Sequence, residues 1–172
     1  GLMGSGIAEI AAKSGFDVVV REMNDELLQK GQARIQKSMD RAVKKEKLTV
    51  EDRDAAGARL SYTTDVSDLA ECDIVIEAIV EELDAKNALF GELDGICGDN
   101  TIFASNTSSL TITDMAAATE RADRFVGLHF FNPVPVMKLV EVVKTIATSA
   151  ETFDRAHAFA KALGKVPIAA KD

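Results

Sequence analysis

A histidine at the end of an apolar run is the residue of this chain that is best placed to do chemistry. His129 follows Phe125, Val126 and Leu128, and two prolines separate it from a second apolar run that contains Glu141. This pattern predicts a strand, a turn and a returning strand, which can set the carboxylate beside the imidazole. A carboxylate there would fix the ring's tautomer and stabilise the imidazolium, as a proton-transfer catalyst requires. A surface or core histidine is the alternative.

The chain begins with glycines spaced like the back half of a dinucleotide-binding turn. A helix that starts here would offer free N–H groups and its positive dipole end to phosphates. Glu22, predicted at the end of the next strand, could bind both ribose hydroxyls and repel a 2′-phosphate, which favours NAD over NADP. Its neighbour Arg21 could weaken that preference by attracting a phosphate. For the glycines themselves, a cluster of capping glycines is the alternative interpretation. The candidate cofactor residues at the turn are Gly1, Leu2, Met3 and Gly4.

Size and charge narrow the class of protein. The 172 residues are 47% hydrophobic, which suits one globular domain with a core. A formal charge of −8 argues against non-specific binding to nucleic acid or to an anionic membrane. Cys72 and Cys97 lack metal-ligand spacing, so we expect reduced, buried thiols and no metal site. Without a signal peptide or membrane span, the cytosol is the default compartment.

The order of predicted elements alternates between strand and helix over almost the whole chain. This alternation predicts a parallel sheet covered by helices. Two helices follow each other directly, and Thr49 with Asp52 predicts a capping box at the start of the second, so we expect an inserted helical hairpin. The predicted helices span residues 4–14, 25–46, 83–96, 112–118 and 152–163, and the predicted strands span 16–20, 60–63, 73–79, 101–105 and 166–169, with two more around Val126 and Leu139.

The first helix of this hairpin carries the densest basic spot in an acidic chain. Ser38 and Lys45 are seven residues apart and so share one helix face, with Arg41 between them. The lysines at 44, 45 and 47 suit the phosphates of an acidic ligand. A solvated helix end, where lysines complement the dipole, is the alternative.

Five motifs together resemble the short-chain L-3-hydroxyacyl-CoA dehydrogenases, a family that includes bacterial 3-hydroxybutyryl-CoA dehydrogenases. They lie at residues 1–6, 75–81, 103–110, 129–141 and 171–172, so the resemblance spans the whole chain. It implies a Rossmann-type, doubly wound, mostly parallel α/β fold and an NAD-binding domain over residues 1–172. It also implies reversible oxidation of an L-3-hydroxyacyl-CoA with NAD, in fatty-acid or butanoate metabolism.

The resemblance also assigns roles to individual residues. His129 is the catalytic base, Glu141 is its partner, and Ser108 contacts both substrate and nicotinamide. Further positions lie near the cofactor or bind coenzyme A: Glu81, Lys86 and Asn132 for the cofactor, and Ser38 and Lys45 for coenzyme A. For Glu81 and Lys86, an acidic first helical turn followed by a solvated lysine is an equally good interpretation.

Compared with that family, the sequence departs at both ends. We expect that the first strand is missing before Gly1, and that a helical domain through which the family forms homodimers follows Asp172. The chain alone is therefore expected to be inactive, and the mitochondrial matrix is a second candidate compartment. Three other functions stay open: a non-catalytic NAD-binding protein, a dehydrogenase of a free hydroxy acid or sugar acid, and a module of a multifunctional protein.

Overall fold

Six α-helices and seven β-strands alternate along residues 1–172, all of which the computed structural model describes. The helices are Leu2–Lys13 (α1), Asp25–Lys44 (α2), Val50–Arg59 (α3), Leu83–Ile96 (α4), Ile112–Ala116 (α5) and Ala150–Ala162 (α6). The strands are Val18–Arg21 (β1), Leu60–Thr63 (β2), Ile74–Glu77 (β3), Ile102–Ser105 (β4), Phe125–Phe130 (β5), Leu139–Lys144 (β6) and Val166–Lys171 (β7). They form two compact units: residues 1–68 with 132–136, and residues 69–131 with 137–172.

In the first unit, β1 pairs with β2 in parallel, from Val18 opposite Leu60 to Arg21 opposite Thr63. The three helices α1, α2 and α3 pack around a small core that is almost free of bulky aromatic groups. The Thr49 hydroxyl accepts a 3.0 Å hydrogen bond from the Asp52 amide, so the predicted cap of α3 is confirmed. The buried core residues are Ala8, Ala12, Ile35, Met39 and Ala56.

In the second unit, five strands form one sheet in the order β3, β4, β5, β6, β7. All neighbouring strands run parallel except β5 and β6, which are antiparallel. The Phe90 ring of α4 lies 5.6 Å from the Phe103 ring and 4.6 Å from the Phe125 ring, and all three side chains are buried. Helix α4 is therefore held against β4 and β5 by aromatic packing.

The fold confirms the predicted Rossmann-type, mostly parallel α/β class with a helical hairpin. The bounds of β2 and α4 are those predicted, whereas α1 begins at Leu2, two residues before the predicted start. The sequence did not predict two short 3₁₀ helices, Val66–Leu69 and Ala122–Arg124. None of the helices combines the length and the apolar character that a bilayer span demands.

Candidate active site

His129 and Glu141 face each other across β5 and β6. They are paired residues in the antiparallel register, as the predicted return strand requires. The imidazole Nδ1 lies 3.6 Å from Glu141 Oε2, close enough for an ion pair once the ring is protonated. Their side chains are 19% and 34% exposed, so both can be reached from solvent. Because Nδ1 faces the carboxylate, Nε2 is the ring nitrogen left to exchange a proton with a ligand.

Two contacts define the surroundings of His129, one to its ring and one to the strand beside it. The Phe131 ring centre is 4.5 Å from the imidazole centre. The amide of Phe130, the next residue along the strand, donates a 2.8 Å hydrogen bond to Asn106 Oδ1. The chain's other histidine, His157, lies on α6 beside Phe153 and has no such carboxylate. Of the two histidines, His129 is therefore the one in a setting suited to acid–base chemistry.

Ser108 lies in the loop that follows β4. Buried Thr107 anchors this loop, because its hydroxyl donates to Glu81 and accepts a 2.9 Å hydrogen bond from the Leu110 amide. Ser108 is exposed, and its own amide donates to the Glu81 carboxylate. The loop thus holds the Ser108 backbone in place while the residue stays exposed to solvent.

Lys86 is buried rather than solvated, so the interpretation as a solvated lysine is wrong. Only 1% of its side chain is exposed. Its ammonium donates to the Glu77 carboxylate and lies 3.4 Å from Glu81 Oε2. A lysine in the first turn of a helix can fold back onto the preceding strand, and here two carboxylates compensate its desolvation.

Glu81 is a carboxylate held in its charged form. Burial alone would raise the pKa of Glu81, but the hydrogen bond from Thr107, the charge and hydrogen bond of Lys86, and the Ser108 amide outweigh it. The pKa therefore lies below its ordinary value. An anion is thus maintained beside Ser108 over the whole neutral range of pH.

Sequence reasoning missed Glu77 and Ser105. Both are buried, and Glu77 accepts hydrogen bonds from Lys86 and from Ser105. The Glu77 side chain has no exposed surface, and Ser105 Oγ donates to its Oε2 at 2.5 Å. Glu77 also accepts from Lys86 and, at 2.8 Å, from the Ile79 amide. The available signal was a charged residue that ends an otherwise apolar strand. We refer to Glu77, Lys86, Ser105, Glu81 and Thr107 together as the Glu77 network.

In the first unit, the start of α1 and the end of β1 meet at Glu22. Hydrogen bonding in α1 begins with the Ser5 amide donating to the Gly1 carbonyl, so the amides at positions 2, 3 and 4 are left for a ligand. The Glu22 carboxylate lies 2.7 Å from the Gly1 nitrogen. A helix N-terminus next to a carboxylate fits the phosphate and ribose of a dinucleotide, so these residues suit NAD.

The glycine of closest approach in this region is Gly6. A Cβ atom at Gly6 would lie only 2.8 Å from Val134 Cβ, so any side chain there would displace Val134. Val134 belongs to the turn after His129. Asn132, a predicted cofactor residue in the same turn, is exposed. The sequence analysis named Gly1 and Gly4 as the important glycines. The structure adds Gly6, because only a residue without a side chain leaves room there for Val134.

Arg21 is tied to the backbone rather than left free beside Glu22. Its Nε donates a 3.1 Å hydrogen bond to the carbonyl of Thr64. This contact ties the Nε edge of the guanidinium to the backbone.

The predicted basic helix face exists on α2 and lines a shallow concavity of about 720 Å³. Asp40 also borders the concavity, but Arg53 and Gln36 already bind its carboxylate. Ser38 lies beside this concavity rather than in its lining, and Lys47 lies beyond the end of α2. The cations of this surface, which we call the basic face, are Lys37, Arg41, Lys44 and Lys45.

Neither cysteine takes part in the contacts described above. Burial raises the pKa of both Cys97 and Cys72, so the reactive thiolate is disfavoured at neutral pH. Cys97 Sγ is also 3.5 Å from the Leu69 carbonyl. No group of three or more histidine, cysteine or acidic side chains is arranged to hold a metal ion.

Comparison with known proteins gives a consistent result. Residues 1–172 match the family model described as "3-hydroxyacyl-CoA dehydrogenase, NAD binding domain". The chain is 49% identical to human mitochondrial hydroxyacyl-coenzyme A dehydrogenase and 46% identical to a 3-hydroxybutyryl-CoA dehydrogenase of Mycobacterium tuberculosis. All of the chain aligns in both cases, but it covers only 57% and 61% of those proteins.

A solved structure shows the same similarity in three dimensions. The crystal structure of (S)-3-hydroxybutyryl-CoA dehydrogenase from Ralstonia eutropha aligns with a TM-score of 0.98 at 50% identity. The alignment covers 100% of this chain and 61% of that one. The chain thus corresponds to somewhat more than half of each of these relatives.

Proposed function

This chain belongs to the family of 3-hydroxyacyl-CoA dehydrogenase NAD-binding domains, and on that premise we propose that it carries the acid–base centre for oxidising an L-3-hydroxyacyl-CoA to the 3-ketoacyl-CoA. The observation that supports this most directly is the His129–Glu141 pair, with Nδ1 3.6 Å from the carboxylate. The reaction is reversible and its cofactor is NAD.

In this reaction His129 removes the proton of the 3-hydroxyl group through Nε2. The imidazolium that forms is stabilised by the Glu141 carboxylate on the Nδ1 side. The Ser108 hydroxyl donates to the same substrate oxygen and so orients it toward the base. When bound, NAD would supply the acceptor for the hydride of C3. In the reverse direction His129 returns the proton to the 3-keto oxygen.

The residues of the first unit are assigned to the adenosine and pyrophosphate part of the cofactor. Gly1 precedes α1, and the free amides of Leu2, Met3 and Gly4 bind phosphate oxygens. Glu22 binds the ribose hydroxyls and excludes a 2′-phosphate. Asn132 and Glu81 complete the proposed cofactor site, and buried Lys86 lies beside this site through its ion pair with Glu81.

The basic face of α2 is assigned to the phosphates of coenzyme A, with Ser38 and Lys45 as the specific contacts. None of its four cations is neutralised by an ion pair, and Asp40 is occupied by Arg53. In a protein of charge −8, such a local cationic surface suits an anionic ligand. This assignment separates an acyl-CoA dehydrogenase from a dehydrogenase of free acids, which would have no use for the basic face.

The proposal can be tested by the reduction of acetoacetyl-CoA with NADH. The readout is the loss of NADH absorbance. The assay uses the natural polypeptide that carries this chain, and free acetoacetate serves as the matched substrate without coenzyme A. We expect turnover with acetoacetyl-CoA and little with acetoacetate. Binding of NADH without turnover of either substrate would instead indicate a non-catalytic protein, and preference for acetoacetate would indicate a free-acid dehydrogenase.

Assembly and location stay predictions from the resemblance. We propose a homodimer, which size-exclusion chromatography with light scattering of the natural polypeptide can test. We propose the cytosol or the mitochondrial matrix as its compartment.

A further inference from the structure

Glu77 is a buried carboxylate that none of the steps above uses. It is the last residue of β3, and its side chain has no exposed surface. An ionised carboxylate is costly to bury unless it is paired and fully hydrogen-bonded. A residue of this kind therefore calls for an explanation in terms of the partners it holds.

The partners of Glu77 come from α4, from β4 and from the loops that follow β3 and β4. Lys86, in the first turn of α4, and the Ile79 amide donate to Oε1, the latter at 2.8 Å. Ser105, at the end of β4, donates to Oε2 at 2.5 Å. The backbone carbonyl of Glu77 accepts a 2.9 Å hydrogen bond from the Asn106 amide. Glu77 thus joins the start of α4 to the end of β4.

Each partner continues to a group at the proposed site. The Lys86 ammonium lies 3.4 Å from Glu81 Oε2. The Ser105 hydroxyl accepts a 3.2 Å hydrogen bond from the Thr107 amide, and the Thr107 hydroxyl donates to Glu81. Two routes therefore run from Glu77 to Glu81, one through Lys86 and one through the loop that carries Ser108.

We propose that Glu77 is a positioning residue of the active site, acting through Lys86 and Ser105 and without touching cofactor or substrate. The charge of Glu77 keeps the Lys86 ammonium at the end of β3. Glu81 therefore shares this ammonium with Glu77 and keeps its hydrogen bond from Thr107. Its second oxygen fixes Ser105 and hence the position of Ser108. This inference rests on the proposed function, whose cofactor contacts it explains.

Replacement Glu77→Gln tests the charge while keeping the shape. The amide can still accept from Ser105, but it leaves Glu81 as the only carboxylate near Lys86. The ammonium is then drawn onto Glu81, which loosens the Thr107 contact and moves Ser108. Because small displacements of positioned groups are costly, we expect kcat for acetoacetyl-CoA to fall by about tenfold or more. The NADH dissociation constant should rise by about fivefold or more, with the KM for acetoacetyl-CoA nearly unchanged.

Asp94→Asn is the matched control. Half-buried Asp94 forms an ion pair with buried Arg121 at 2.6 Å in the same unit, but it contacts none of the Glu77 network. Both variants should lower the melting temperature, because both leave a buried cation short of a partner. Only Glu77→Gln should alter kcat and NADH affinity. Equal kcat and equal NADH affinity in the two variants, once corrected for the folded fraction, would overturn the proposal.

Two further measurements keep the result decisive. If Glu77→Gln does not fold, Ser105→Ala tests the second route alone. We expect it to lower kcat about threefold and to weaken NADH binding, and unchanged values would contradict the proposal. If the unaltered protein shows no turnover, the proposed function fails, and NADH affinity then decides the role of Glu77. Equal affinity of Glu77→Gln and Asp94→Asn for NADH would refute it in that case.

Discussion

Glu141 Oε2 lies 3.6 Å from His129 Nδ1 because the two residues are direct partners in the antiparallel register of β5 and β6. This is the one antiparallel pairing in a sheet whose other neighbours run parallel. The prolines at 133 and 135 fall in the turn that makes the reversal possible. The sheet topology itself therefore brings the two side chains of the proposed acid–base pair together.

Glu141→Gln should reduce turnover without disturbing the strand pairing. The amide has the same shape but cannot stabilise the imidazolium by its charge, so we expect kcat to fall by about tenfold to a hundredfold. Steady-state kinetics with acetoacetyl-CoA and NADH measure this change. Glu151→Gln, at the start of α6, is the control and should behave like the unaltered protein. An unchanged kcat for Glu141→Gln would exclude a role for the carboxylate.

Glu22→Ser should weaken the preference for NADH over NADPH. Removing the carboxylate removes both the ribose contact and the repulsion of a 2′-phosphate, so we expect the ratio of kcat/KM values to fall by about tenfold. Glu26→Ser, on the exposed start of α2, is the control and should leave the ratio unchanged. If the ratio for Glu22→Ser also stayed unchanged, Glu22 would not be the ribose ligand.

Lys45→Glu should weaken binding of the substrate's coenzyme A part. Reversing one charge on the basic face should raise the KM for acetoacetyl-CoA by about tenfold at low salt, with kcat nearly constant. The difference should shrink at high ionic strength because exposed charges are screened. Lys30→Glu is the control, since Lys30 pairs with Glu26 elsewhere on the same helix. A comparable KM increase in Lys30→Glu would mean that overall charge alone is responsible.

Asp94→Asn should destabilise the second unit in a pH-dependent way. Burial raises the pKa of Asp94, but the Glu120 amide at 2.7 Å and then Arg121 outweigh it, so its pKa in the folded state is lowered. The stabilisation is therefore complete above the unfolded pKa of about 4 and is lost as the pH falls through the folded value.

Urea unfolding at several pH values measures this effect. At pH 7 we expect the free energy of unfolding to drop by about 2 kcal/mol, because buried Arg121 loses its half-buried anionic partner. Below about pH 4 the difference from the unaltered protein should shrink. Asp123→Asn is the control, because this exposed carboxylate should contribute less than about 1 kcal/mol. A difference that grew toward acid pH would contradict the lowered pKa.

The sequence predicted those features that depend on local pattern. The bounds of β2 and α4 followed from periodicity, the Thr49 cap from residue type and spacing, and the His129–Glu141 pairing from two apolar runs around prolines. Each of these depends on neighbours within a few turns or one hairpin. The fold class followed from the alternation of strand and helix in the same way.

Buried charges were beyond the reach of such patterns. Lys86 looks like a solvated lysine in an acidic first turn, yet it is buried because Glu77, nine residues earlier, accepts its ammonium. Arg121 stands among charged residues in a loop, yet it is 3% exposed and lies 4.3 Å over the Phe103 ring. Whether a charge is buried depends on partners that lie on other elements of the fold, and the spacing of residues within one element does not encode them.

His129→Gln, assayed beside His157→Gln for NADH-dependent reduction of acetoacetyl-CoA, tests the central proposal most directly. Loss of the base should lower kcat by about a hundredfold to ten-thousandfold, while the dissociation constant for NADH stays close to that of the unaltered protein. His157→Gln, which changes the histidine on α6, should keep normal turnover. Normal turnover in His129→Gln would contradict the assignment of His129 as the catalytic base.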